Sequence, residues 1–183
     1  MTLAKLVKAM KDSRYVRYQV RNGYALGTNG HWVIEVPCEA PDGIYELDGS
    51  LSNEKMPAID QALEGVRASE MSEIFVFPTS AELASAVALN NTAHKGAMAV
   101  FRAEKARMPA ADRRHARAPT KYGAFVQVHL GAADERRLAV KYVRLLKQVL
   151  GTKDITVRWT KSLYDPAWFT SPKGSMYIMP MWT

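Results

Sequence analysis

One cysteine, Cys38, is all that the 183-residue chain contains. No disulfide can close within it and no thiolate metal cluster can form, so an inert buried thiol is the expected state. Long apolar runs are also missing: none approaches the ~20 residues needed to cross a bilayer. The opening Met-Thr-Leu-Ala-Lys-Leu-Val-Lys-Ala-Met interrupts its apolar positions with lysines, unlike the continuous core of a signal peptide. A cytoplasmic protein without membrane contact is expected. His31, His94, His115 and His129 are scattered, with no His-x-x-x-His or His-x-Glu spacing, so no metal site is expected. No Gly-x-Ser-x-Gly elbow and no glycine-rich phosphate loop is present, which leaves neither a catalytic residue nor a cofactor to propose. Asp42, Glu46 and Asp48 cluster around one turn and strand in a way that resembles nuclease carboxylates, but the lysine such a site wants two residues past its acid is absent.

Positive charge is what the chain has in excess. Its net charge is +7 and its pI about 9.5, which suits a polyanionic partner, most often nucleic acid. Between Arg102 and Lys121, seven cations (Arg102, Lys105, Arg107, Arg113, Arg114, Arg117, Lys121) face only Glu104 and Asp112. Pro109, Pro119 and scattered alanines give this stretch little apolar periodicity. It is expected to be a mobile basic loop or frayed helix dividing an N-terminal half (1–101) from a C-terminal half (122–183). It lacks the aromatics that stack unpaired bases, which favours duplex DNA over a single strand.

The two ends share an order of elements. Leu3, Leu6, Val7 and Met10 form one helical stripe, with Lys5 and Lys8 opposite. Strands are expected from Arg14 to Val36, broken at Asn22-Gly23, a strong hairpin signal, and at Asn29-Gly30; Pro37 ends the last of them, and Ile44–Leu47 follows after Pro41-Asp42-Gly43. A modest helix over 57–66, a buried strand over 73–77, a capped alanine-rich helix over 80–90 opened by Thr79 and Glu82, and a strand over 97–101 fill the middle. Toward the C-terminus, a strand over 122–130 precedes a long helix from Asp134 to Leu150, stopped by Gly151. Its expected core stripe is Leu138, Tyr142, Leu145, Leu146 and Val149, with Arg137, Lys141 and Arg144 on the far side and Lys147 flanking. Strands at 155–159, 168–170 and 176–181 complete the chain. Exposed helices usually mix signs, because opposite charges four residues apart stabilise by about 0.2–0.5 kcal/mol per pair. One-sign faces such as these suit the phosphate backbone.

Two segments carry a more specific signal: Leu26-Gly27-Thr28-Asn29-Gly30-His31-Trp32-Val33, and the terminal Met176-Tyr177-Ile178-Met179-Pro180-Met181-Trp182-Thr183. Alternation of Tyr177, Met179 and Met181 would by itself assign them to a sheet core. Together, however, the segments resemble the Ala-Thr-Asp-Gly-His-Arg-Leu stretch and the terminal Met-Pro-Met of bacterial sliding clamps, the beta subunit of DNA polymerase III. The resemblance covers about half the chain and implies an α+β fold of the DNA-clamp kind, antiparallel sheets with helices packed on one side. It implies that Thr28, Gly30, His31, Trp32 and Val33 form one wall of a peptide pocket and Tyr177, Met179, Pro180 and Met181 the other. Flexible methionine suits such a surface. Asn29 stands where the family has aspartate and Trp32 where it has arginine, which implies a more apolar rim.

The function so implied is a non-enzymatic, clamp-like processivity or tethering factor in DNA replication or repair. Lys5, Lys8, Arg102, Lys105, Arg107, Arg113, Arg114, Arg117, Arg137, Lys141, Arg144 and Lys147 would hold double-stranded DNA. The pocket would take peptide motifs of replication or repair proteins. Being about half a clamp protomer, the chain would assemble as a homo-oligomer, join another clamp or work without a ring, and its compact, divergent form suggests a phage or mobile-element source. Two other readings stay open: a clamp mimic or host-takeover protein that binds replication proteins without encircling DNA, and a basic nucleic-acid enzyme such as a nuclease using Asp42, Glu46 and Asp48.

Overall fold

The computed structural model describes the whole chain except Met1, Asp12, Ala58, Tyr122, residues 131–133, Leu163 and residues 181–183. In chain order the elements are α1 (Leu3–Met10), β1 (Arg17–Arg21), β2 (Tyr24–Thr28), β3 (Trp32–Pro37), β4 (Gly43–Glu46), α2 (Asp60–Arg67), β5 (Ser72–Ile74), α3 (Ser80–Arg107), α4 (Ala110–Arg113), β6 (Phe125–Leu130), β7 (Asp134–Ala139), α5 (Val140–Leu150), β8 (Thr156–Arg158), β9 (Ala167–Ser171) and β10 (Gly174–Ile178). Eight strands form one antiparallel sheet in the order β4-β1-β2-β3-β10-β9-β8-β5, and β6 pairs with β7 in a separate hairpin. The two ends of the chain therefore meet at the centre of the sheet, where Val33 faces Tyr177 and Trp32 faces Ile178 across β3 and β10.

Local chemistry explains the first hairpin. Asn22 and Gly23 both take positive φ, 52° and 79°, the geometry whose twist matches two flanking strands. Alternate residues of the sheet then face two layers. On one side Ala25, Ile34, Val36, Met176, Ile178, Phe169 and Val157 share the main core with Leu6 and Met10 of α1 and with Val143, Leu146, Val149 and Leu150 of α5. Contact with α1 is close because β2 offers no side chain at Gly27: a Cβ there would overlap Met10 Sδ and lie 3.0 Å from a Leu6 methyl. On the other side lies a smaller cluster of Val33, Tyr177, Ile59, Leu63 and Val66, through which α2 covers the opposite face of the sheet.

Several expected elements differ. The long helix foreseen from Asp134 is two elements: β7 pairs residue for residue with β6, and α5 starts only at Val140, after Ala139 in an extended conformation. Leu138 is thus a strand residue, fully buried, and Arg137 lies on β7 instead of a helix. The strand foreseen over 97–101 and the first part of the basic loop are both helical, because α3 runs unbroken from Ser80 to Arg107. Its start is the expected capping box, in which Thr79 and Glu82 exchange hydrogen bonds. The strand foreseen as buried over 73–77 is the short edge strand β5; Phe75 is buried, but Ile74 and Val76 are 68% and 82% exposed.

Candidate functional site

The turn between β2 and β3 is built by side-chain oxygens. Thr28 Oγ1 donates to the Trp32 carbonyl at 2.6 Å and accepts from Gly30 N–H at 3.0 Å. Asn29 Oδ1 accepts from the N–H groups of His31 and Trp32 at 2.9 and 3.1 Å. Gly30 supplies a φ of 89°. Beside this turn the chain leaves β10, and Met179 N–H donates to the His31 carbonyl at 2.9 Å, so the two segments singled out in the sequence are hydrogen-bonded to each other.

They border a cavity of about 250 Å³ on the α2 side of the sheet. Thr28, Gly30, Trp32, Val33, Tyr177 and Met179 are among the residues that line it. Residues not foreseen complete it: Tyr15 from the segment before β1, Pro57, Ile59 and Leu63 before and on α2, and Tyr164, Asp165 and Pro166 from the segment before β9. The stripe Ile59, Leu63, Val66 has helical spacing and is a readable signal; its facing partner is not. His31 and Pro180 turn instead to a neighbouring groove with Gly123, Ala139, Lys141 and Tyr142, and Met179 borders both. The His31 and Tyr142 rings stack at 6.1 Å. Trp32, expected to make the rim more apolar, is 3% exposed and packs in the main core, so the exposed apolar margin is Met179 and Tyr164. Met181 lies outside the described residues.

Two polar assemblies hold the walls. Tyr177 OH accepts from Arg67 Nε at 2.8 Å and donates to Glu35 Oε2 at 3.3 Å, while Arg67 also pairs with Glu35 and, at 3.1 Å, with Asp60. Burial, and then the Glu35 charge, push the Tyr177 phenol above its ordinary value, so it stays protonated and can donate. Burial alone would lower Arg67, but the Tyr177 hydrogen bond and the Glu35 charge outweigh it and the guanidinium is held charged. The second assembly is centred on Arg136 of β7, 2% exposed. Its guanidinium donates to the carbonyls of Thr160, Ser162 and Asp165 at 2.7, 3.1 and 2.8 Å, fixing the segment that presents Tyr164, Asp165 and Pro166.

The basic residues lie in two groups. Helices α1 and α5 are neighbours on the main-core side of the sheet, and Lys5, Lys8, Leu145, Gln148 and Val149 border the groove between them. Lys5, Lys8, Lys141, Arg144 and Lys147 are exposed. Arg137 is exposed too, on β7, with its guanidinium 5.1 Å from the Phe125 ring. In the second group Arg102 and Arg107 are exposed near the end of α3, and Lys105 leans on Phe101 at 5.7 Å. Arg113 donates to the carbonyls of Ala106 and Met108, closing the end of that helix, while Arg114 and Arg117 are exposed beyond it.

The three carboxylates considered for nuclease chemistry are engaged separately. Asp42 caps Asn22 N–H at 3.0 Å, Glu46 pairs with Arg17 at 2.7 Å, and Asp48 accepts from Ser50. Among the described residues no group of three or more His, Cys, Asp or Glu side chains could hold a metal, and no helix is long and apolar enough to cross a membrane.

This arrangement of sheet and helices is the fold of the DNA polymerase sliding clamps, in divergent form. The sliding clamp of Bacillus subtilis superposes with a TM-score of 0.54 at 11% identity, over 99% of this chain and 62% of the clamp. The clamps of Pseudomonas aeruginosa and Streptococcus pneumoniae give TM-scores of 0.48 and 0.49 at 11% and 10% identity, over 94% and 98% of this chain and 61% and 63% of theirs. The chain therefore spans less than two thirds of the clamps it matches. No protein-family model matches the sequence, and no curated protein matches it.

Proposed function

We propose that the protein is a clamp-like accessory factor of DNA replication or repair, without enzymatic activity. It holds duplex DNA through the phosphates and recruits partner proteins by a short peptide. The observation that carries this reading is the opposition of two unlike surfaces on one sheet. Exposed cations of α1 and α5 occupy one face, and a cavity walled by the Thr28–Val33 turn, Tyr177 and Met179 occupies the other. The cation layer has the one-sign character that phosphate binding favours. The cavity combines buried floor residues with an adaptable methionine at its mouth, which suits apolar anchors of an extended peptide.

Fluorescence anisotropy with a labelled DNA duplex tests the first part. Replacing Lys5, Lys8, Lys141 and Arg144 with glutamate should weaken binding and flatten its salt dependence, each lost phosphate contact removing about 0.9 from the slope of log K against log salt. Titration with hydrophobic peptides tests the second part, with Met179→Ala expected to weaken peptide binding and leave DNA binding intact. Peptide binding without any salt-sensitive DNA binding would replace the proposal with a clamp mimic.

A further inference from the structure

The cavity beside the Thr28–Val33 turn has one charged side chain in its lining, Asp165, and no lysine, arginine or histidine. Cations that flank the walls stay out of that lining. Arg67, which holds the Tyr177 hydroxyl, is matched by Glu35 and Asp60. Lys141 borders the neighbouring groove, 4.7 Å from the Tyr142 ring, and Arg14 leans on Tyr15 at 5.9 Å. Asp165 itself is half-buried and fixed in place. Its N–H donates to the Ser162 carbonyl at 3.3 Å, its carbonyl accepts from Arg136 at 2.8 Å, and its Oδ2 accepts from Thr160 Oγ1 at 2.6 Å. Among the described residues no cation pairs with this carboxylate and Oδ1 has no hydrogen-bond partner. The cavity mouth is also aromatic. Tyr164, 70% exposed, precedes Asp165 in the chain, and Tyr15 lies against the turn, where a Cβ on Gly30 would sit 3.8 Å from its Cε2. Tyrosine faces and a carboxylate both attract cations.

We infer that the peptide taken by this cavity carries a lysine or arginine next to its apolar anchor, and that Asp165 selects it. The inference rests on the reading of the cavity as a peptide site and adds the charge of the partner. Val33 and Leu63 receive the apolar side chain, and the fixed carboxylate at the mouth receives the cation. Such a preference opposes the charge of the molecule as a whole, because a chain of net charge +7 draws acidic peptides toward it. Selection of a basic peptide therefore has to come from the local field of the cavity. That opposition separates specific capture from non-specific attraction to the cationic helices on the other face of the sheet.

Fluorescence anisotropy of the full chain tests this with labelled Gly-Ser-X-Leu-Leu-X-Ser-Gly peptides in which X is lysine, alanine or glutamate. At low salt the lysine peptide should bind about three- to fivefold tighter than the alanine peptide, and the glutamate peptide should bind weakest. Asp165→Asn keeps an oxygen for Thr160 Oγ1 and removes only the charge. It should bind the alanine peptide as the wild type does and lose the lysine preference; a purely structural role would weaken all three peptides alike. Met179→Ala should weaken all three in proportion, as expected for binding in this cavity. Should Asp165→Asn fail to fold, the wild type decides: its lysine preference should fade between about 0.01 and 1 M salt, as the screening length falls from about 30 to 3 Å. Equal binding of the lysine and glutamate peptides, a lysine preference kept by folded Asp165→Asn, or one indifferent to salt would overturn the inference and leave the peptide site standing. Absence of binding by every peptide would remove the site and the inference with it.

Discussion

Arg136 shows how much one buried charge can organise. A guanidinium offers five donors in a planar fork, and here it spans three carbonyls that come from one segment of irregular backbone. Arg136→Met should cost about 3 kcal/mol in urea denaturation, because those carbonyls lose charged donors in a buried place. Arg136→Lys should recover only part of it, since a single ammonium cannot reach all three. The residue is unreadable as a core position: a charged side chain in a run of charges looks solvated, and only the pairing of β7 with β6 puts it inside. Asp60 lends itself to a pH test. Its hydrogen bond from Arg21, reinforced against burial by one from Arg67, holds its carboxyl below the ordinary value. A carboxyl depressed in the folded state stabilises fully above its unfolded value near ~3.9 and loses that contribution as the pH falls through the folded one. The side chain is 47% exposed, so solvent screening limits the effect. Asp60→Asn should therefore lower stability by up to about 1 kcal/mol at pH 7, with the gap to wild type closing in acid, as measured by denaturation at both pH values.

At the scale of elements, packing on α1 can be probed at Gly27. Gly27→Val would press into the Met10 and Leu6 side chains and should cost about 1–3 kcal/mol by thermal or urea unfolding. If Lys5 and Lys8 act on DNA, displacing α1 should weaken binding as well. The hairpins, the capping box of α3 and the stripe of α1 are all legible, because each rests on neighbours in sequence. The break at Ala139 is not. Leu138 and Tyr142 are four apart and fit a helix stripe, while the period-two burial of Arg136 and Leu138 is masked by the arginine and by flanking charges. The end of α3 escapes the sequence pattern for the opposite reason. Alanine, lysine, arginine and glutamate from 102 to 107 have strong helix propensity, and a lack of apolar periodicity does not prevent an exposed helix from continuing to the residue before Met108-Pro109.

For the whole molecule, the pairing of β3 with β10 is the join on which the candidate site depends. Met176→Asp, in the fully buried middle of β10, should abolish cooperative unfolding altogether, which a flat thermal melt would report. Half of the cavity wall is legible only because Thr28–Val33 and Tyr177–Met179 resemble segments of the bacterial sliding clamps; strand alternation by itself would assign Tyr177 and Met179 to the sheet core. The remainder, from α2 and the segment before β9, is hidden because only the closed sheet brings those residues together.

The central join also fixes an order of events during synthesis. Glu35 on β3 and Ser175 on β10 are 140 residues apart, so at about 5–20 residues per second β3 waits roughly 7–28 s on the ribosome before its permanent neighbour emerges. Through that interval a nascent strand carrying Trp32, Val33, Ile34 and Val36 is an open template in the middle of the future sheet. Until β10 emerges, those apolar side chains and the unpaired edge of β3 are open to non-native strand pairing.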